Sequence, residues 1–185
     1  MNPALRIAES FGKLQGIKIQ SKELVNDWIL ITYDLPVDEK GSEARAKFLK
    51  LAPRIGAKMH SRSVYLMPNT QQAQLAAVDL SKTLGGNVWI WTGVPFGEKA
   101  EEVTKFYDEE IEVDLSHLSE RLEKEGELIK DEKFGMADRM HRKTTDLFMQ
   151  TLFAMTQRGS HPDSVKKMVT IYNKLLGPSP KNGDK

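Results

Sequence analysis

The sequence predicts an α+β fold: a sheet-and-helix unit comes first and an all-helical region follows. Three observations carry this. Short runs of β-formers, each bounded by proline or glycine, occupy residues 28–35, 57–67 and 87–92. Between them lie two segments with apolar residues at helical spacing. From residue 97 onward glycine and proline become sparse, strand signals vanish and only helical stripes remain.

Taken in order, residues 1–26 form an N-terminal arm in which Pro3 opens a short helix with Leu5, Ile7, Ala8 and Phe11, broken by Gly12 and Gly16. Trp28 to Leu35 is a nearly continuous apolar run that stops at Pro36, the pattern of a central strand buried on both faces. Ser42 suits the N-cap of the next helix, whose apolar face is Ala44, Phe48, Leu51 and Ile55. Pro53 should end that helix and Gly56 suits its exit. Residues 57–67 read as two tightly joined strands ending at Pro68. Thr70 caps a second helix with Ala73, Ala76, Ala77, Leu80 and Leu84 inward, ended by Gly85 and Gly86. Asn87 to Thr92 is the last strand. The succession strand, helix, hairpin, helix, strand predicts a ferredoxin-like βαββαβ sandwich over residues 27–96, with two helices on one face of a four-stranded antiparallel sheet. The other face needs a cover, either the C-terminal helices or a second copy of the chain.

A helical extension is expected over 97–177. Val103, Phe106, Tyr107, Leu115, Leu118, Leu122 and Leu128 mark its first stripe. Phe134, Met140, Leu147, Phe148, Leu152 and Met155 mark a long helix ending at Gly159. Pro162 opens a last helix with Val165, Met168, Val169, Tyr172, Leu175 and Leu176 on one face, closed by Gly177, and residues 178–185 read as a frayed tail.

Composition narrows the function classes. With no cysteine, disulfides, thiolate catalysis and cysteine-ligated zinc are excluded. No apolar run approaches the ~18 residues needed to cross a bilayer, and a cytoplasmic location is expected. The net charge of +1 conceals an uneven distribution. Residues 1–97 hold 12 basic and 8 acidic groups, 98–132 hold 5 and 14, and 133–185 hold 10 and 4. The acidic middle is either a solvated helical face or a partner for a basic surface, within this chain or outside it.

Candidate chemistry is sparse. Asp34 stands at the end of the first strand, where a side chain can emerge at the sheet rim. One carboxylate holds a divalent cation poorly. Two copies of Asp34 across a dimer axis, with help from Asp38 and Glu39, could hold Mg2+ or Mn2+. The plainer role is a strand-end aspartate that starts the turn at Pro36. Residues 40–62 carry Lys40, Arg45, Lys47, Lys50, Arg54, Lys58 and Arg62 against Glu43 alone, and this basic run could grip a nucleic-acid backbone beside Tyr33, Tyr65 and Trp89. The plainer reading is a solvated helix face. His60, His117, His141 and His161 are too dispersed for a metal site, and His60 fits a hydrogen-bonded hairpin residue better than a general base. Trp89 and Trp91 share one face of the last strand, where they can stack bases or pack under a helix or subunit. No nucleophile elbow, P-loop or dinucleotide fingerprint is present.

Several short motifs in fixed order resemble a known family. Tyr33-Asp34-Leu35-Pro36, Ala44 to Leu49, Gly56-Ala57, Ser63 to Pro68 and Gly85-Gly86 resemble the N-terminal region of the chromate-resistance regulator ChrB. The charged stretch 101–129 and the helix from about 131 extend the resemblance to residues 27–158. The opening is also similar to the C-terminal part of the PaaX repressor and, more distantly, to the ferredoxin-fold CRISPR adaptation proteins. The resemblance implies a dimer with a DNA-linked regulatory role in a stress or metal-oxyanion response. The CRISPR proteins imply a metal-binding strand-end aspartate, here Asp34. The further domain of ChrB has no counterpart in these residues, and 1–26 are too short for the winged helix of PaaX. The leading expectation is a non-enzymatic, dimeric ChrB-like protein that binds DNA without a cofactor through Arg45, Lys47, Lys50, Arg54, Lys58 and Arg62. The alternatives are a nuclease that uses Asp34 and metal at a dimer interface, and a structural adaptor whose acidic helix docks on a basic partner.

Overall fold

The computed structural model describes residues 25, 27–35, 38–84, 88–95, 97, 99–159 and 162–175. Expectations for residues 1–24, the glycine pair 85–86, the closing Gly177 and the tail 178–185 fall outside the described residues.

The first unit is α+β. β1 (Trp28–Tyr33), α1 (Glu39–Leu51), β2 (Lys58–Ser61), β3 (Val64–Pro68), α2 (Gln71–Leu84) and β4 (Val88–Gly93) follow one another. The four strands make one antiparallel sheet in the order β2-β3-β1-β4. β1 is therefore central, as its apolar run predicted, and β2 and β4 are the edges. Because strand side chains alternate between faces, Ile29, Ile31 and Tyr33 turn to one side and Trp28, Leu30 and Thr32 to the other. The first set buries with Phe48 and Ala52, and with Ala73, Ala77 and Leu80 of α2.

The start of α1 differs from the sequence reading. Asp38, not Ser42, is the N-cap, and its Oδ1 accepts from Gly41 N at 2.7 Å. Gly41 falls inside the first turn, and the cap offsets its ~1 kcal/mol propensity deficit. The exit matches expectation. α1 stops at Leu51, and a 3-10 turn at Ala52–Ile55 carries Pro53. Gly56 has φ 77°, and a Cβ there would meet Phe153 at 3.2 Å and Ala154 at 3.3 Å. Left-handed backbone and close approach both select glycine at this joint. Thr70 caps α2 as expected, with Ala73 N donating to its Oγ1 at 3.1 Å.

The second unit is helical. α3 (Lys99–Lys130) and α4 (Phe134–Arg158) form a hairpin, and α5 (Pro162–Leu175) lies back on α3. Their core joins Tyr107, Leu115 and Leu118 of α3 to Phe148, Leu152 and Met155 of α4 and to Met168 and Ile171 of α5. Trp28, from the second face of the sheet, is part of this core. The helical region thus covers that face over β2, β3 and the Trp28 end of β1. On the edge strand β4, Trp89 and Trp91 stay exposed. Among the described residues no helix is long and apolar enough to cross a membrane.

Candidate nucleic-acid interface

The six predicted cationic residues do not form one cluster. β1 and β2 both run antiparallel to β3, so α1, which connects them, runs back along the sheet. Arg45 therefore starts near the rim that carries Asp34, and Arg54 lies at the opposite end. The nine residue steps from one to the other span about 13 Å at the helical rise. Arg45 is half-buried, and its Nη2 donates to Leu35 O at 3.3 Å, which ties α1 to the end of β1. Arg62 is exposed in the β2–β3 turn, whose position is fixed by Tyr33 OH donating to the Arg62 carbonyl at 2.7 Å. Lys58 leaves the set. Alternation along β2 aims it at α3, where its ammonium pairs with Asp114, and Thr151 Oγ1 donates to the same carboxylate at 3.3 Å.

What remains is a compact stripe. Lys47, Lys50 and Arg54 are exposed and lie three and four residues apart, so they share one flank of α1 and the turn that prolongs it. None of them forms an ion pair among the described residues, and neither does Arg62. Several cations of the helical region are paired, though Lys124, Lys130, Arg139, Lys143 and Lys174 are exposed without an ion pair among the described residues. Lys99 pairs with Glu102 at 2.6 Å, Lys105 with Glu109 at 3.7 Å, Lys166 with Asp163 at 3.1 Å and Lys167 with Glu112 at 2.5 Å. The acidic helix α3 thus meets basic groups of its own chain, one of the two roles open from the charge distribution.

Asp34 is exposed just past β1. Asp38, a proposed helper ligand, is engaged as the α1 cap. Among the described residues no three histidine or carboxylate side chains gather in a way that could hold a metal ion. His60 is exposed on β2, with its ring edge-on to Phe106 at 5.1 Å between centroids.

Sequence reading missed the most heavily engaged cation, Arg158. It is fully buried at the end of α4. Its Nε and Nη2 hold both oxygens of Asp108 at 3.0 and 3.1 Å, Nη1 donates to Val25 O at 3.0 Å, and the guanidinium lies 5.7 Å from the Trp28 ring. Asp108 is fifty residues away in sequence, and only the excess of acid in 98–132 hinted at such a partner. Nearby, the Tyr107 hydroxyl donates to Gly56 O at 2.6 Å, and burial pushes its pKa well above the ordinary tyrosine value. His141 Nδ1 lies 2.8 Å from Glu125 Oε1, and that hydrogen bond raises its pKa.

A groove of about 1000 Å³ runs beside α3, floored by Val94, Ile111 and Met155 and edged by Glu101, Glu109 and Glu112. Its carboxylates disfavour a polyanion, so the α1 stripe is the surface that fits phosphates best. No family model matches the chain, and no curated protein or solved structure matches it.

Proposed function

We propose that this protein binds nucleic acid, DNA in the first instance, through the α1 stripe, as a dimeric, non-enzymatic, ChrB-like regulatory protein. The observation that carries the reading is the row Lys47, Lys50 and Arg54, exposed at three- and four-residue spacing on one helix flank and without an ion pair among the described residues. A ferredoxin-like sandwich is supported by the βαββαβ succession and by the antiparallel order β2-β3-β1-β4, in which β1 and β3 sit side by side at the centre.

Lysine and arginine on a helix flank meet phosphate oxygens and release counterions, which gives affinity with little sequence preference. Arg62 adds a contact at the other end of the sheet. Asp34 has no role in this binding, and neither does a divalent metal.

The test is fluorescence anisotropy with labelled duplex and single-stranded oligonucleotides at low salt, with and without EDTA. Binding that survives EDTA and falls at least about tenfold in the Lys47→Gln, Lys50→Gln, Arg54→Gln variant is expected. A wild-type protein that binds neither duplex nor single strand at low salt overturns the reading.

A further inference from the structure

The two edges of the sheet are built differently, and the difference points to where a second copy attaches. β2 is a poor template for a new strand. It has four residues, an irregular register with β3 between Met59 and Ser61, and Lys58 and His60 turned to α3. Short length, bulges and lysine are the devices that protect a sheet edge from pairing. β4 has none of them. Its six residues, Val88 to Gly93, contain no charge and no proline, and they pair with β1 in unbroken register. Its other edge has no strand beside it among the described residues.

We infer that two copies of this chain pair β4 to β4, antiparallel about a two-fold axis at Ile90, into one continuous eight-stranded sheet. The inference rests on the dimeric reading made above and names its interface. The side chains around this edge are self-complementary under that axis. With Ile90 facing its own copy, Trp89 of one chain stands opposite Trp91 of the other, on the face away from α1 and α2. Both tryptophans are now open, at 45% and 59% exposure. Cross-strand aromatic pairs of this kind stabilise antiparallel ladders.

The helix layer adds a second contact on the same side. Ser81 Oγ donates to Val88 O at 3.3 Å, which identifies the flank of α2 turned to β4. Val78 lies about one turn earlier beside that flank and is exposed. At about 250 Å² for a whole tryptophan, Trp89 and Trp91 alone offer about 500 Å² across the two copies. That is half of the roughly 1,000 Å² a specific interface needs, and Val78 and the backbone edge supply more.

The geometry has a consequence for Asp34. Tyr33 pairs with Val88, so Asp34 sits about three residues along the strands from the axis, in opposite directions in the two copies. Three strand spacings separate the two β1 strands. At ~3.3 Å per residue and ~4.8 Å per strand the two carboxylates are about 25 Å apart, too far to share a metal ion.

Sedimentation equilibrium of the full chain tests this. Wild type is expected at twice the 20.9 kDa chain mass. Trp91→Lys, and independently Trp89→Lys, should sediment as monomers with unchanged far-UV circular dichroism. A folded lysine variant that stays dimeric overturns the β4 interface and leaves the dimeric reading standing. A wild type that is monomeric at about 100 μM overturns both. Neither result touches nucleic-acid binding by the α1 stripe, which anisotropy reads separately.

Discussion

Arg158 and Arg54 are the same residue type in opposite circumstances. Arg158 is sealed between the helical region and the sheet, with every side of its guanidinium engaged by Asp108, Val25 O and the Trp28 ring. Arg54 is exposed at the end of a helix, without an ion pair among the described residues. The contrast extends to their surroundings. Lys58, Lys99, Lys105, Lys166 and Lys167 are all matched with carboxylates, four of them on α3 or reaching it. Lys47 and Lys50 are not. A buried, paired cation such as Arg158 ties the two units together; an exposed cation without a partner is open to an external polyanion.

The contrast predicts which substitutions affect stability and which affect binding. Arg158→Met removes one partner of a buried pair and takes the bidentate guanidinium away from Asp108. The loss should be about 3 kcal/mol, at the low end for such pairs because Asp108 keeps some solvent contact. Urea unfolding measures it, and a loss below ~1 kcal/mol would deny Arg158 its structural role. Gly56→Ala should cost about 1–3 kcal/mol, since the backbone is left-handed and Ala154 and Phe153 stand where the methyl group would go. A thermal melt shows this as a drop of several degrees.

His141 gives a smaller, pH-dependent effect. Its hydrogen bond to Glu125 favours the imidazolium, and the folded pKa lies above the unfolded value. The stability from this pair is then fully present below the unfolded histidine pKa and is lost as pH rises through the folded one. The gap in unfolding free energy between wild type and His141→Gln should narrow from pH 6 to pH 9. A gap that is constant across that range contradicts the assignment. The smallest stability effect belongs to the α1 stripe. The Lys47→Gln, Lys50→Gln, Arg54→Gln variant should unfold within about 0.5 kcal/mol of wild type, as exposed changes do, while its nucleic-acid affinity falls.

Much of the sheet unit was legible because local signals agree with its tertiary setting. The apolar run of β1, Pro53 followed by Gly56, and the cap at Thr70 each impose a conformation on their own neighbourhood. Capping at Asp38 was not legible, because Ser42, four residues on, is an equally good capping residue type. The candidate site was legible only in part. Lys47, Lys50 and Arg54 could be placed on one helix flank by their spacing. The fate of Lys58 depended on which face of β2 would be covered, and that was decided by Asp114, fifty-six residues later. Arg158 posed the same difficulty with Asp108. Charge totals left the acidic segment open as a solvated face or as a partner for basic groups, and pairings over such separations are set by packing that no local pattern encodes.

The most direct test of the central claim is the salt dependence of binding. Log affinity for a short random-sequence duplex is plotted against log salt for wild type and for the variant with glutamine at positions 47, 50 and 54. Each lost phosphate contact removes about 0.9 from the slope on B-DNA, so a slope shallower by about 3 is predicted. Identical slopes for the two proteins would contradict the assignment of the phosphate contacts to the bare flank of α1.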